Sequence, residues 1–143
     1  VKLDFILNTK GRDIATIHPE ATVRELVARL AELRIGALVV SLDGRMVTGM
    51  VSERDLVREL AARGPAVLDE QVQQIMTVVV QCAPPSAETA DVAALMTNRR
   101  VRHIPVIDDD AQMIGLVSIG DVVKSRLDEL QGERDALIEY VTH

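Results

Sequence analysis

The chain matches itself. Shifted by 66 residues, the stretch 14–55 lies on 80–121 without a gap. Pro19 falls on Pro85, Ala21 on Ala87, Ala28 on Ala94, Arg34 on Arg100 and Val40 on Val106. The densest agreement sets Gly49-Met50-Val51-Ser52-Glu53-Arg54-Asp55 over Gly115-Leu116-Val117-Ser118-Ile119-Gly120-Asp121. Other pairs exchange one apolar residue for another, such as Leu30 for Met96 and Ile35 for Val101. An ungapped match of this length is a duplication, so whatever plan one half follows, the other follows too.

Each copy has the same local order. A short extended stretch (15–18 and 81–83) ends at a proline. An amphipathic helix follows, with Val23, Leu26, Val27 and Leu30 at helical spacing in one copy and Val92, Leu95 and Met96 in the other. Thr22 with Glu25 three residues on has the capping-box pattern, and Glu88 or Thr89 opens the second helix. Two apolar runs come next, 37–40 and 46–51, separated by Asp43-Gly44; their counterparts are 104–107 and 113–117, separated by Asp108-Asp109-Asp110. These read as strands joined by tight acidic turns. A further helix starts at Asp55, running to about residue 62, and at Asp121. The order is strand, helix, strand, strand, helix, twice: an α/β (α+β) chain. Gly64-Pro65 closes the first copy, and residues 66–77 connect the two, with a short helix near 72–76. The units run 8–64 and 69–126, followed by an extension, 127–143.

Composition narrows the class. A chain of 143 residues with 48% hydrophobic and 27% charged residues is long enough for a real core. With one Phe, one Tyr and no Trp, that core is aliphatic. No apolar run reaches membrane-span length and none resembles a signal peptide, so no membrane role and a cytoplasmic location are expected. A single cysteine, Cys82, excludes an internal disulfide and a multi-cysteine zinc site. The net charge of −6 argues against a nucleic-acid partner. His18, His103 and His143 lack metal-ligand spacing, and no HExxH, GxSxG or P-loop pattern occurs, so neither a metal requirement nor an enzyme is expected.

The twofold Gly-apolar-apolar-Ser-x-x-Asp run resembles the signature of CBS domains. Arg102-His103-Ile104-Pro105-Val106 resembles the family's second-strand motif, and Ile75-Met76-Thr77 the usual lead into a second repeat. The resemblance covers about residues 8–126. It implies two β-α-β-β-α repeats packed face to face about a pseudo-twofold axis, with two clefts between them. In this family the clefts commonly hold AMP, ADP, ATP, NAD or S-adenosylmethionine, and the modules often pair into flat dimers. The expected role is therefore a regulatory sensor of adenine nucleotides, AMP first, with ATP or NAD as alternatives, signalling to a downstream protein. The competing expectations are a structural dimerisation module with empty clefts and a binder of S-adenosylmethionine.

Residue chemistry fits a nucleotide. A carboxylate accepts hydrogen bonds from both ribose hydroxyls, each charge-assisted bond worth roughly 1.5–3 kcal/mol. Asp55 and Asp121 stand where a strand passes into a helix, near the cleft mouth that the resemblance implies. Ser52 and Ser118 supply hydroxyls, and a helix beginning at each Asp turns free N–H groups toward an anion. An Asp at a helix start is equally a cap, with the Ser completing a turn. The resemblance sets adenine between the first strand and the start of the second strand of one repeat: Arg12, Ile14, Ala15 and Thr16 with Ile35, Gly36 and Ala37, or Thr77, Val80 and Cys82 with Val101, Arg102 and His103. Those stretches serve equally as ordinary β-core. It also implies that the start of one repeat's second strand reaches the phosphate held by the other. Gly36-Ala37 stand against Arg102-His103 there, and Arg54 against Gly120, so the Asp55 cleft is expected to be the stronger phosphate site; Lys124 partly compensates in the other.

After the second copy, Val123, Leu127, Leu130, Leu137 and Val141 keep heptad-like spacing with Arg134 in the seam. This predicts an amphipathic helix that packs back on its own domain, joins a second copy in a homodimer or serves as a docking surface.

Overall fold

The computed structural model describes residues 1–142. The first repeat comprises β1 (Thr16–Ile17), α2 (Val23–Leu33), β2 (Ala37–Val40), β3 (Gly49–Ser52) and α3 (Glu53–Arg63). The second comprises α4 (Thr89–Arg99), β4 (His103–Ile107), β5 (Met113–Ser118) and α5 (Ile119–Thr142). Ahead of both stands α1 (Leu3–Lys10), a helix that the reading of the sequence did not include. Two 3-10 turns, Pro65–Asp69 and Val72–Gln74, link the repeats, where one short helix near 72–76 was expected.

The helix starts follow from local chemistry. Thr22 caps α2 with the full reciprocal box, its hydroxyl accepting from the Glu25 N–H while Glu25 accepts from the Thr22 N–H. Both α2 and α4 end on an arginine in the left-handed region, Arg34 and Arg100, each at φ 54°. A glycine fits that conformation at less cost, by roughly 1 kcal/mol.

In the first repeat β1 runs parallel to β2 (Thr16 opposite Val39), and β2 is antiparallel to β3 (Leu38 opposite Val51). In the second, β4 and β5 form the equivalent hairpin, but the expected strand over 81–83 shrinks to a single bridge between Ala83 and Val106. Pro105 is the reason. It holds the position of Val39, has no N–H to donate to a neighbouring strand, and ends the pairing at Ala83.

Each repeat completes its core with the segment that precedes the other. Val72 and Ile75 are buried with Val23, Leu26, Leu38 and Val51 of the first repeat. Leu3, Ile6 and Leu7 of α1 are buried with Val92, Met96, Ile104 and Val117 of the second. Burying one such leucine contributes about 1.5–3 kcal/mol. This exchange explains the paired glycines. A Cβ on Gly49 would stand 2.7 Å from the Met76 Sδ and 2.8 Å from the Thr77 carbonyl, and one on Gly115 would run into the Leu7 methyls.

The two acidic turns touch. Met46 bridges Gln112, and the Met113 N–H donates to the Arg45 carbonyl at 2.7 Å. Met46 and Gln112 are equivalents under the 66-residue shift. Equivalent residues that pair with each other mark a local twofold relation between the repeats. The fold is the expected α/β arrangement of two β-α-β-β-α units, with a C-terminal helix that is continuous from residue 119 rather than a separate extension.

Candidate functional site

A cavity of about 790 Å³ opens between the repeats. From the first repeat it is lined by Gly36, Ala37, Ser52, Glu53, Arg54, Asp55 and Arg58, from the connecting segment by Thr77, and from the second repeat and its lead-in by Val79, Val80, Arg100, Val101, Arg102 and His103.

Ser52 and Asp55 are set by the strand-to-helix junction. The helix starts two residues earlier than expected, at Glu53, with Ser52 rather than Asp55 as its cap. The Ser52 hydroxyl accepts from the Asp55 N–H at 3.3 Å and donates to Asp55 Oδ2 at 3.0 Å. The Ser52 N–H donates to the same oxygen at 2.9 Å. Oδ2 is thus held in place, while Oδ1 has no donor among the described residues. The first helical turn offers an anion less than its dipole suggests. The Glu53 N–H goes to the Gly36 carbonyl and the Asp55 N–H to Ser52, leaving the Arg54 N–H as the open one among the described residues.

The electrostatics are opposite to those of the whole chain. Arg54, Arg58, Arg100 and Arg102 all line the cavity. Among the described residues none of the four stands within ion-pairing distance of a carboxylate, whereas Arg12, Arg24, Arg29, Arg63 and Arg126 do. In a chain of net charge −6 this gathers unpaired cations at one place. His103 is pushed below the ordinary imidazole range, first by burial and then by Arg102 and Lys10, with Asp121 pulling weakly the other way. The ring still has an N–H to donate.

The second motif repeats the geometry with a different outcome. The Ser118 N–H donates to Asp121 Oδ2 at 2.8 Å, and the Asp121 N–H to the Ser118 hydroxyl at 3.2 Å. Asp121 and Ser118 lie outside the cavity lining, however, and Lys10 Nζ sits on Asp121 Oδ2 at 2.7 Å. Burial alone would push the Asp121 carboxyl up; the bonds from Lys10 and Ser118 outweigh it and hold it below the ordinary range.

The remaining expected residues are dispersed. Arg12 turns away to Asp4 and Asn8, at 2.7 and 2.6 Å. Ala15 packs on the first core, and Ile14 and Thr16 flank it half-buried, also outside the cavity. Ile35 lines a smaller groove of about 460 Å³ beside Val27, Leu30 and Leu56. Cys82 is half-buried with its thiol toward the Val80 carbonyl, and burial pushes its pKa up. Lys124 is exposed on α5. Arg12, Ile14, Ala15 and Thr16, expected beside Ile35, Gly36 and Ala37, thus lie outside the cavity that Gly36 and Ala37 line. The stretch beside β3 is Thr77, whose N–H and carbonyl pair with Met50 at 2.8 and 2.9 Å, because the connecting segment rather than α1 packs on the first repeat.

Val79 lines the cavity beside the expected Val80, and three basic residues likewise lie outside the expected set. Arg58 stands four residues after Arg54, on the same helix face, a spacing that could have shown it. Arg100 follows a helix whose apolar pattern marks only its core side. Lys10 belongs to the unforeseen α1.

The CBS domain family model matches residues 8–62 and 72–128, one match per repeat. The chain belongs to the CBS domain family. It is 38% identical over 124 residues to the mitochondrial CBS domain-containing protein CBSX3 of Arabidopsis thaliana, covering 84% of this chain and 60% of that protein. Among solved structures it is similar to the CBS-domain containing protein ATU1752 of Agrobacterium tumefaciens, with TM-score 0.83 and 38% identity over 88% of this chain and 99% of that one. It is also similar to the CBS domain protein PAE2072 of Pyrobaculum aerophilum complexed with AMP, with TM-score 0.73 and 25% identity over 85% and 89% of the two chains. A CBS pair is a regulatory unit rather than a catalytic one. No helix among the described residues is long and apolar enough to cross a membrane.

Proposed function

We propose that this CBS pair senses an adenine nucleotide, AMP foremost with ADP, ATP or NAD as related ligands, in the cleft marked by Asp55. The observation that carries the reading is the joining, in one cavity, of a carboxylate with a free oxygen and four arginines that lack carboxylate partners among the described residues. A nucleotide needs both: an acceptor for the ribose hydroxyls and donors for phosphate. Asp55 Oδ1 takes the ribose diol. Arg102 and Arg54, supported by Arg58 and Arg100, take the phosphate, with the Arg54 N–H and His103 as further donors. Val79, 81% exposed on the cavity wall, gives the adenine ring an apolar face, and the backbone of the Thr77–Val80 stretch reads its edge. Gly36 leaves room for a longer ligand, since an added Cβ there meets Glu53 at no less than 3.8 Å. The AMP carried by the Pyrobaculum relative supports the same ligand class.

The chain acts as a homodimer in this reading, and ligand occupancy is passed to a downstream protein. The dimer contact is α5, whose residues from Leu130 to Thr142 are exposed on every face. Leu127, Leu130, Leu137 and Val141 form its uncovered stripe, between 51% and 75% exposed.

The test is thermal unfolding with AMP, ADP, ATP, NAD and S-adenosylmethionine at saturating concentration. A ligand at a hundred times its Kd stabilises by about 2.7 kcal/mol, which raises Tm by several degrees. A rise with at least one adenine nucleotide is expected. No rise with any of them leaves a dimerisation module with empty clefts.

A further inference from the structure

We propose that Lys10 occupies the ligand's place on Asp121, so that the chain holds one nucleotide firmly at Asp55 and a second only weakly. The inference rests on the Asp55 reading above and adds the residue that sets the two clefts apart.

The 66-residue shift places Lys10 on Met76 and Asp121 on Asp55. Both leading segments lie against the hairpin of the opposite repeat, and both satisfy the same carbonyl. In the first repeat the Thr77 N–H donates to Met50 O at 2.8 Å. In the second, Lys10 Nζ donates to Leu116 O, the equivalent acceptor, at 2.9 Å. A side-chain ammonium thus replaces a backbone N–H. It has protons to spare and spends one on Asp121 Oδ2 at 2.7 Å. Met76 carries no charge; its thioether packs over Gly49, and Asp55 has no cationic partner among the described residues.

A ribose diol arriving at Asp121 meets a carboxylate whose charge is already matched. It must either displace the ammonium or accept a poorer hydrogen bond. The Lys10 side chain is 37% exposed and that of Asp121 24%, so the pair is partly solvated and the barrier modest. The expected penalty is therefore a weakened site rather than a sealed one, about tenfold in affinity. A Lys10 that swung out to bind phosphate would act with the opposite sign.

Calorimetric titration of AMP into the wild type, Lys10→Met and Lys10→Arg decides between them, with melting curves confirming that each variant is folded. One strong site per chain is expected in the wild type and in Lys10→Arg. In Lys10→Met a second site tightens by about tenfold, and adding Asp121→Asn removes that gain. Two equal sites in the wild type, or a second site in Lys10→Met that is unchanged or weaker, overturns the proposal. Failure of the Asp55 reading looks different: the strong wild-type site is missing, while the gain in Lys10→Met, and its loss with Asp121→Asn, is still measured.

Discussion

At the scale of single residues, Asp55 and Asp121 show how little a motif says about a side chain's surroundings. Both are held by a serine three residues earlier in the same reciprocal cap. One then faces a cavity rich in arginine, and the other faces a lysine. His103 reports on this local field. Burial, then Arg102 and Lys10, keep its proton affinity low. Its folded pKa lies below the unfolded value of about 6.5, so the unfolded chain binds the proton more readily. The stability linked to this group is complete above pH of about 6.5 and is lost as the pH falls through the folded value. Proton NMR titration is expected to give a midpoint below the ordinary one, rising in Arg102→Ala and rising again when AMP brings its phosphate. A midpoint at or above the ordinary value in the free wild type contradicts the charge arrangement described for the cleft.

At the scale of elements, α5 separates folding from assembly. Val122 is its one buried residue among those described, and every described residue beyond Glu129 is exposed. Removing residues 131–143 takes away no buried contact among the described residues, so Tm measured at low protein concentration is expected to stay within a few degrees. Light scattering is expected to show a dimer become a monomer; an unchanged oligomer places the contact elsewhere. The elements inside the repeats were legible because each is short, capped and patterned: Thr22 with Glu25, Ser52 with Asp55, the acidic turns at Asp43 and Asp108. What escaped was non-local. Helix α1 forms against the second repeat, where Leu3 and Leu7 find partners from the other end of the chain. The strand lost over 81–83 is traced to Pro105, more than twenty residues away. The pairing of Thr77 with β3, which moved one wall of the candidate site, has the same origin. A segment preceding one repeat packs on the other, and no pattern within a window of the sequence encodes that.

At the scale of the whole molecule, a duplicated acidic chain folds about a local twofold and is then made asymmetric by a few substitutions. Gly36-Ala37 face Arg102-His103, Arg54 stands where the second copy has Gly120, and Met76 stands where the first has Lys10. Each difference pushes the same way, toward a cationic cleft with a free carboxylate at Asp55 and a neutralised one at Asp121. In the proposed function the Asp55 cleft holds a nucleotide, with the ribose on the carboxylate and the phosphate on arginine from the opposite repeat. Titration calorimetry of AMP, or of whichever adenine nucleotide raises Tm most, into Asp55→Ala and Arg102→Ala tests it most directly. Each variant is expected to bind about tenfold or more weakly than the wild type, a loss of at least about 1.4 kcal/mol; affinity unchanged in both contradicts the account.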